Sequence, residues 1–152
     1  MITPIVAGNW KMHNTIDESK TLVNQIIHVL SKIESVQTVL CPPFTSLTVV
    51  RELLKQSKVK LGAQNLHFAT EGAFTGEISP IMVAELCQYV VLGHSERRQY
   101  FRETDESINL KVISSLEVGL TPILCVGENL TEREQGRANQ IIETQLTTCL
   151  QN

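Results

Sequence analysis

Short, mostly apolar runs alternate along this chain with longer runs whose apolar residues recur every three or four positions. The short runs are Pro4 to Ala7, Val36 to Cys41, Val59 to Ala63, Tyr89 to Leu92 and Pro122 to Val126. Most are apolar on both alternating faces, as strands of a parallel sheet covered on both sides must be. Pro4 and Pro122 stand at strand starts, where a missing backbone donor is tolerated.

The longer runs predict helices. Thr15-Ile16-Asp17-Glu18 reads as a capping box, followed at helical spacing by Leu22, Val23, Ile26, Ile27, Leu30 and Ile33. A second helix is predicted from Thr45 to Ser57, with Leu47, Val50, Leu53 and Leu54 inward. Ser79-Pro80 reads as an N-cap followed by proline at the first helical position. A fourth helix carries Ile108, Val112, Ile113 and Leu116 and ends before Gly119. Thr131-Glu132-Arg133-Glu134 predicts another capping box, and Ile142, Leu146 and Leu150 continue its stripe. Strand and helix thus alternate five times, which predicts a parallel sheet with right-handed crossovers. The alternation alone leaves an open doubly wound sheet and a partial barrel equally available.

Composition narrows the function classes. The 152 residues carry 13 basic and 16 acidic side chains, a net charge of −3, and 42% are hydrophobic. No basic patch is dense enough for nucleic acid. No apolar run approaches a membrane span, and Met1-Ile2-Thr3-Pro4 has no signal-peptide pattern. Cys41, Cys87, Cys125 and Cys149 form no C-x-x-C pair and are expected to be reduced, mostly buried thiols of a cytoplasmic protein. His13, His28, His67 and His94 form no ligand set with them, so no metal is expected.

In parallel α/β folds functional groups gather at the C-terminal ends of the strands. Those ends hold Asn9 and Lys11, then Pro42-Pro43-Phe44, Gln64-Asn65, His94-Ser95-Glu96, and Gly127-Glu128. Lys11 offers a cation to an anionic substrate group, and Asn9 a neutral donor or simply a turn residue. His94 closes a strand just before a helix for which Ser95 is the candidate N-cap. Backbone N–H groups at a helix start favour negative charge, so an imidazole facing them is expected to stay neutral and donate from its other nitrogen. Glu96 suits the helix dipole and is also a candidate partner for Lys11. The loop from Gln64 to Ser79 exceeds the ordinary connection length, with Phe74, Thr75 and Gly76 at its tip.

Five segments carry a closer likeness. Ala7-Gly8-Asn9-Trp10-Lys11-Met12, Gly62-Ala63-Gln64-Asn65, Gly72-Ala73-Phe74-Thr75-Gly76-Glu77-Ile78-Ser79, Leu92-Gly93-His94-Ser95-Glu96-Arg97-Arg98 and Pro122-Ile123-Leu124-Cys125-Val126-Gly127-Glu128 resemble successive signatures of the triosephosphate isomerases. Their order and separations match over residues 2 to 152, about the first three-fifths of a family whose barrel takes about 250 residues.

The resemblance implies the (β/α)8 TIM barrel family, here a single partial barrel of five βα units over residues 1–152, ending before the sixth strand. It implies interconversion of dihydroxyacetone phosphate and glyceraldehyde 3-phosphate through an enediolate, in glycolysis and gluconeogenesis, without cofactor or metal. His94 would be the electrophile, and a neutral, helix-facing imidazole there is the family's known pattern. Lys11 would bind the anionic substrate and stabilise the enediolate, Asn9 would line the site, and Ser95 and Glu96 would support it. Phe74, Thr75 and Gly76 would insert beside Lys11 and His94 of a second subunit in a homodimer. Arg98 and Glu103 would form a bracing ion pair. Arg102 departs from the glycine frequent there. The family's general-base glutamate, lid and phosphate-binding loops match nothing in these residues, and neither Glu96 nor Glu128 is their equivalent. The 152 residues alone are therefore expected to be inactive, with a non-catalytic phosphate-binding or assembly role as the alternative. A Schiff-base aldolase is the weaker alternative, with Lys60 as its one strand lysine.

Overall fold

The computed structural model describes residues 3–151. The five strands are β1 (Ile5–Asn9), β2 (Gln37–Cys41), β3 (Lys60–Ala63), β4 (Tyr89–Leu92) and β5 (Thr121–Leu124). They form one sheet in the order β1-β2-β3-β4-β5, and every neighbouring pair is parallel. Helices α1 (Ile16–Leu30), α2 (Leu47–Leu54), α3 (Pro80–Ala84), α4 (Ser95–Phe101) and α5 (Asp105–Glu117) fill the crossovers, and α6 (Leu130–Glu134) and α7 (Ala138–Cys149) follow β5. The sheet curls into a partial (β/α) barrel.

Alternation along the strands separates two apolar layers. Leu40, Leu61, Ala63, Val90 and Leu92 face the helices and pack with Val23, Val50, Leu54, Val83, Ile108 and Val112. Val39, Cys41 and Val91 face the other way, with Tyr89 and Cys125 beside them. Gly62 lies on that concave side. A Cβ there would stand 2.8 Å from Cys41 Sγ and 3.2 Å from Val39 Cγ1, so the strands approach closely only because the side chain is absent.

The edge strand β1 departs from the expectation of burial on both faces. Ile5 and Val6 are 46% and 56% exposed, because β1 pairs with β2 alone. It also begins and ends later than the apolar run, which brings Asn9 into the strand. β5 is shorter than expected and stops at Leu124.

The helices follow the caps more than the stripes. The Thr15–Glu18 capping box and the Ser79 cap with Pro80 form as expected. The second helix starts later, a 3-10 turn occupying Phe44–Ser46. The segment after β4 divides into α4 and α5 because Arg102 turns left-handed, at φ +56°, and Thr104 caps α5 anew. The final helical segment also divides. Asn129, not Thr131, forms the capping box with Glu132, and Gly136 at φ +69° separates α6 from α7. The Asn129 carboxamide accepts the Glu132 N–H at 2.9 Å and starts the helix at Leu130, which leaves Thr131 inside it.

Candidate active site

Asn9 and Lys11 from the end of β1, Gln64 from the end of β3, and His94 and Glu96 from the end of β4 converge through hydrogen bonds. The Asn9 side chain accepts the Lys11 N–H at 3.0 Å, so this face of Asn9 serves the turn itself. The turn sets Lys11 left-handed, at φ +54°. Its ammonium then reaches Glu96 Oε1 at 2.6 Å. Of the two partners weighed for Glu96, the structure supplies both, since Glu96 also sits in the first turn of α4. The Lys11 hydrogen bond holds the Glu96 carboxyl below the usual carboxylate range.

His94, and not Ser95, caps α4. Its Nδ1 accepts the Glu96 N–H at 3.3 Å, while Ser95 is already the first helical residue. A histidine with extended backbone reaches the amide two residues on, which displaces the serine from the capping role. Glu96 Oε2 also lies 3.4 Å from Nδ1. The two contacts compete for one nitrogen. The backbone N–H can only donate, so Nδ1 carries the lone pair, and the proton belongs on Nε2. The side chain of His94 is 23% exposed. A hollow of about 450 Å³ opens beside it, lined by Gly93, Ser95, Arg98, Cys125, Glu128 and Arg133 among others. A larger one of about 800 Å³ shares Ser95, Arg98 and Glu128 and runs past Asn129 to Gln145. Neither is lined by Lys11.

Below the site the charged network differs from the Arg98–Glu103 pair expected. Glu103 Oε1 takes Arg97 Nε and Lys111 Nζ, each at 2.6 Å. Arg98 pairs instead with Asp105. Its Nε also donates to the Gly93 carbonyl at 2.8 Å and its Nη2 to the Cys125 carbonyl at 3.3 Å. The reason is helical phase. Adjacent arginines on α4 point about 100° apart, so Arg97 meets the Glu103 carboxylate that Lys111 shares, while Arg98 reaches the start of α5 at Asp105 and the strand ends at Gly93 and Cys125. Burial pushes the Glu103 carboxyl up, but Lys111 and Arg97 outweigh it and hold it below the usual range. Glu103 Oε2 is buried with no partner among the described residues.

Glu128 is committed to Arg133 at 2.6 Å. Its own backbone N–H and Arg133 hold its carboxyl low, against the opposing pull of burial. The loop tip at Phe74, Thr75 and Gly76 is exposed. It is nonetheless braced: His67 stacks on Phe68 at 4.4 Å and meets the Phe74 ring at 4.2 Å, and its N–H donates to Ile78. Lys60 opens β3, at the opposite end of the strand from the convergence. Among the described residues, no group of three His, Cys, Asp or Glu able to hold a metal occurs, and no helix is long and apolar enough to cross a membrane.

A sequence model of the triosephosphate isomerases matches residues 4–152. The chain belongs to the triosephosphate isomerase family. A triosephosphate isomerase of Dehalococcoides mccartyi is 51% identical over 146 residues, covering 96% of this chain and 58% of the relative. One of Dictyoglomus thermophilum is 49% identical, covering 97% and 59%. The crystal structure of triosephosphate isomerase from Bartonella henselae superposes with a TM-score of 0.94 at 36% identity, covering 99% of this chain and 63% of that one. The chain thus spans about three-fifths of the length of these triosephosphate isomerases.

Two features of this site were not assigned from the sequence. Gln64 Nε2 donates to the carbonyls of Lys11 (2.9 Å) and Cys41 (2.8 Å). Gln145 grips Gly127 through both of its backbone groups, accepting its N–H at 2.8 Å and donating to its carbonyl at 3.2 Å. The Gly62-Ala63-Gln64-Asn65 motif marked the first position without its role; nothing in the sequence marks the second.

Proposed function

We propose that the whole protein is a triose-phosphate isomerase, interconverting dihydroxyacetone phosphate and glyceraldehyde 3-phosphate through an enediolate, in glycolysis and gluconeogenesis. The reading places it in the cytoplasm as a homodimer, with Phe74, Thr75 and Gly76 meeting the second subunit. The observation that carries it is the His94 imidazole: Nδ1 is engaged by the Glu96 N–H, which leaves Nε2–H to donate to a substrate carbonyl oxygen. Lys11 stands at the same rim as the cation for the substrate's negative charge.

The reaction removes a proton from the carbon beside a carbonyl and returns it to the former carbonyl carbon. Polarising the carbonyl lowers the barrier to forming the enediolate, but a positioned base must accept the proton. Glu96 is engaged by Lys11 and Glu128 by Arg133. Residues 1–152 by themselves therefore hold the electrophilic half and do not turn over substrate. The same commitment of both carboxylates favours, as a second reading, a non-catalytic role in which these residues only bind phosphate.

Calorimetry of the 152-residue chain with a phosphate-bearing mimic of the enediolate separates the two. Absence of binding supports the isomerase reading, in which phosphate contacts come from further segments. Clear one-to-one binding supports the binding role instead.

A further inference from the structure

The loop between β3 and α3 is anchored at its base and exposed at its tip. Asn65 and Leu66 are 7% and 0% exposed, and Asn65 Oδ1 accepts from the Lys111 ammonium at 2.9 Å. Residues 70–77 are all exposed. Two backbone bonds, from the Phe74 N–H to Gly72 and from the Glu77 N–H to Phe74, close the tip on itself. His67 joins tip to base. Its ring centroid lies 4.2 Å from that of Phe74 and 4.4 Å from that of Phe68. The Phe74 ring fits because residue 72 is glycine: a Cβ there would stand 2.6 Å from Phe74 Cε2. The plane of the imidazole is set by a hydrogen bond in which Nδ1 accepts the Ala69 N–H at 3.0 Å. That N–H can only donate, so Nδ1 holds the lone pair and the proton of the neutral ring sits on Nε2.

We propose that His67 is a pH-sensitive brace of the loop tip: the neutral imidazole, taking the Ala69 N–H on Nδ1, holds the Phe74 ring in place, and protonation of Nδ1 releases it. Imidazole is the side chain that ordinarily changes charge between pH 5 and 8. A proton on Nδ1 sets two donors, Nδ1–H and the Ala69 N–H, against each other. The phenyl faces attract an imidazolium, but only in the plane that keeps those donors opposed. The ring turns to separate them and leaves Phe74. Glu71 and Glu77 line the same small hollow as His67 and Phe74, and toward α3 it is lined by the uncharged Ser79 and Met82. Both carboxylates are exposed, so water screens their pull on the protonated ring. The consequence for assembly rests on the homodimer reading above, in which this tip meets the second subunit; the brace itself does not.

The test is NMR of the labelled 152-residue chain from pH 8 to pH 5, with the methyl signals of fully buried Val23 reporting an intact fold. At pH 8 His67 Nδ1 resonates as a lone-pair nitrogen and Nε2 as a protonated one. As the ring takes up a proton, the Ala69 amide loses roughly tenfold in protection from exchange, the scale of one hydrogen bond. The Phe74 ring protons move to the positions of free phenylalanine with the same midpoint, and Val23 stays unchanged. A protonated Nδ1 at pH 8 overturns the proposal. So do Ala69 and Phe74 signals that stay constant over this range or do not follow the His67 ring, and so does a Val23 signal that moves with them, since release is then global unfolding. His67→Asn and His67→Phe separate the two contacts. Asparagine keeps an acceptor at the δ position without the ring, and phenylalanine keeps a ring without the acceptor. Neither titrates, so the Ala69 amide in His67→Asn and the Phe74 ring in His67→Phe are constant from pH 8 to pH 5. Parent-like pH dependence in either assigns the effect to Glu71 or Glu77 and overturns the proposal. Where a variant does not fold, the parent titration decides alone. Neither association nor turnover is read here, so the brace can fail while the isomerase and homodimer reading stands, and the reverse.

Discussion

Lys11 Nζ and Glu96 Oε1 meet at 2.6 Å although 85 positions separate the two residues. The pair joins the turn after β1 to the first turn of α4, across the C-terminal rim of the sheet. Both side chains are close to half exposed, so water screens the pair and its share of stability is small. Its consequence is positional: the cation is fixed beside His94, and Glu96 is withdrawn from proton transfer.

Lys11→Met is expected to raise the Glu96 carboxyl toward its ordinary value of about 4.3, because the lysine hydrogen bond is the main cause of its lowering. A carboxyl lowered by folding stabilises above its unfolded value and loses that contribution as pH falls through the folded one. In the parent the pair therefore weakens below about pH 4. Side-chain carboxylate NMR across pH 2–7 checks this; an unmoved Glu96 titration counts against the pairing.

Arg102 carries left-handed strain that glycine would not. The left-handed conformation costs an L residue about 1–2 kcal/mol, offset in part by the larger unfolded-state entropy of glycine. Arg102→Gly should stabilise the chain by about 0.5–1 kcal/mol, seen as a higher urea midpoint with unchanged slope. A lower midpoint would mean that the Arg102 side chain supplies more than the turn costs.

The charge cluster at Glu103 predicts acid sensitivity. Its carboxyl is low in the fold because Lys111 and Arg97 outweigh burial, so its stabilisation is present above about pH 4.3 and disappears as pH falls through the lower folded value. Glu103→Ala leaves Lys111, 8% exposed, without its charge partner, and should cost about 3–5 kcal/mol near neutral pH. The gap between the urea midpoints of parent and variant should narrow as pH is lowered from 7. A constant gap would place the loss in packing instead.

The sequence pattern made some of this legible and not the rest, for physical reasons. Burial on both faces reads as a continuous apolar run, so Tyr89–Leu92 was bounded correctly. Exposed β1 has the same kind of run, and the pattern cannot register that only one strand lies beside it. Thr15 and Ser79 announce themselves because a cap acts over three residues. His94 as its own cap does not, because the role depends on backbone angle rather than residue type. Lys11 and Glu96 were legible as candidates at strand ends. The division of labour between Arg97 and Arg98 was not, since it rests on helix phase, and neither was Gln145, whose target is a backbone.

The thiols give a check on both apolar layers. Burial pushes Cys41 and Cys87 up to about 12 and Cys149 to about 11, and Cys125 is raised as well. Thiolate is the reactive form, so an aromatic disulfide reagent at pH 8 should modify none of the four readily in the folded chain and all four in urea. Prompt reaction of one folded cysteine would place that residue nearer water than the structure does.

The most direct test is turnover. Homogeneous 152-residue chain, freed of host isomerase and verified by intact mass, is assayed with glyceraldehyde 3-phosphate beside its His94→Gln variant. With the electrophile present and both nearby carboxylates engaged elsewhere, parent and variant should match the uncatalysed background. Turnover by the parent near the rate of a complete isomerase, lost in His94→Gln, would contradict the assignment of only half an active site to these residues.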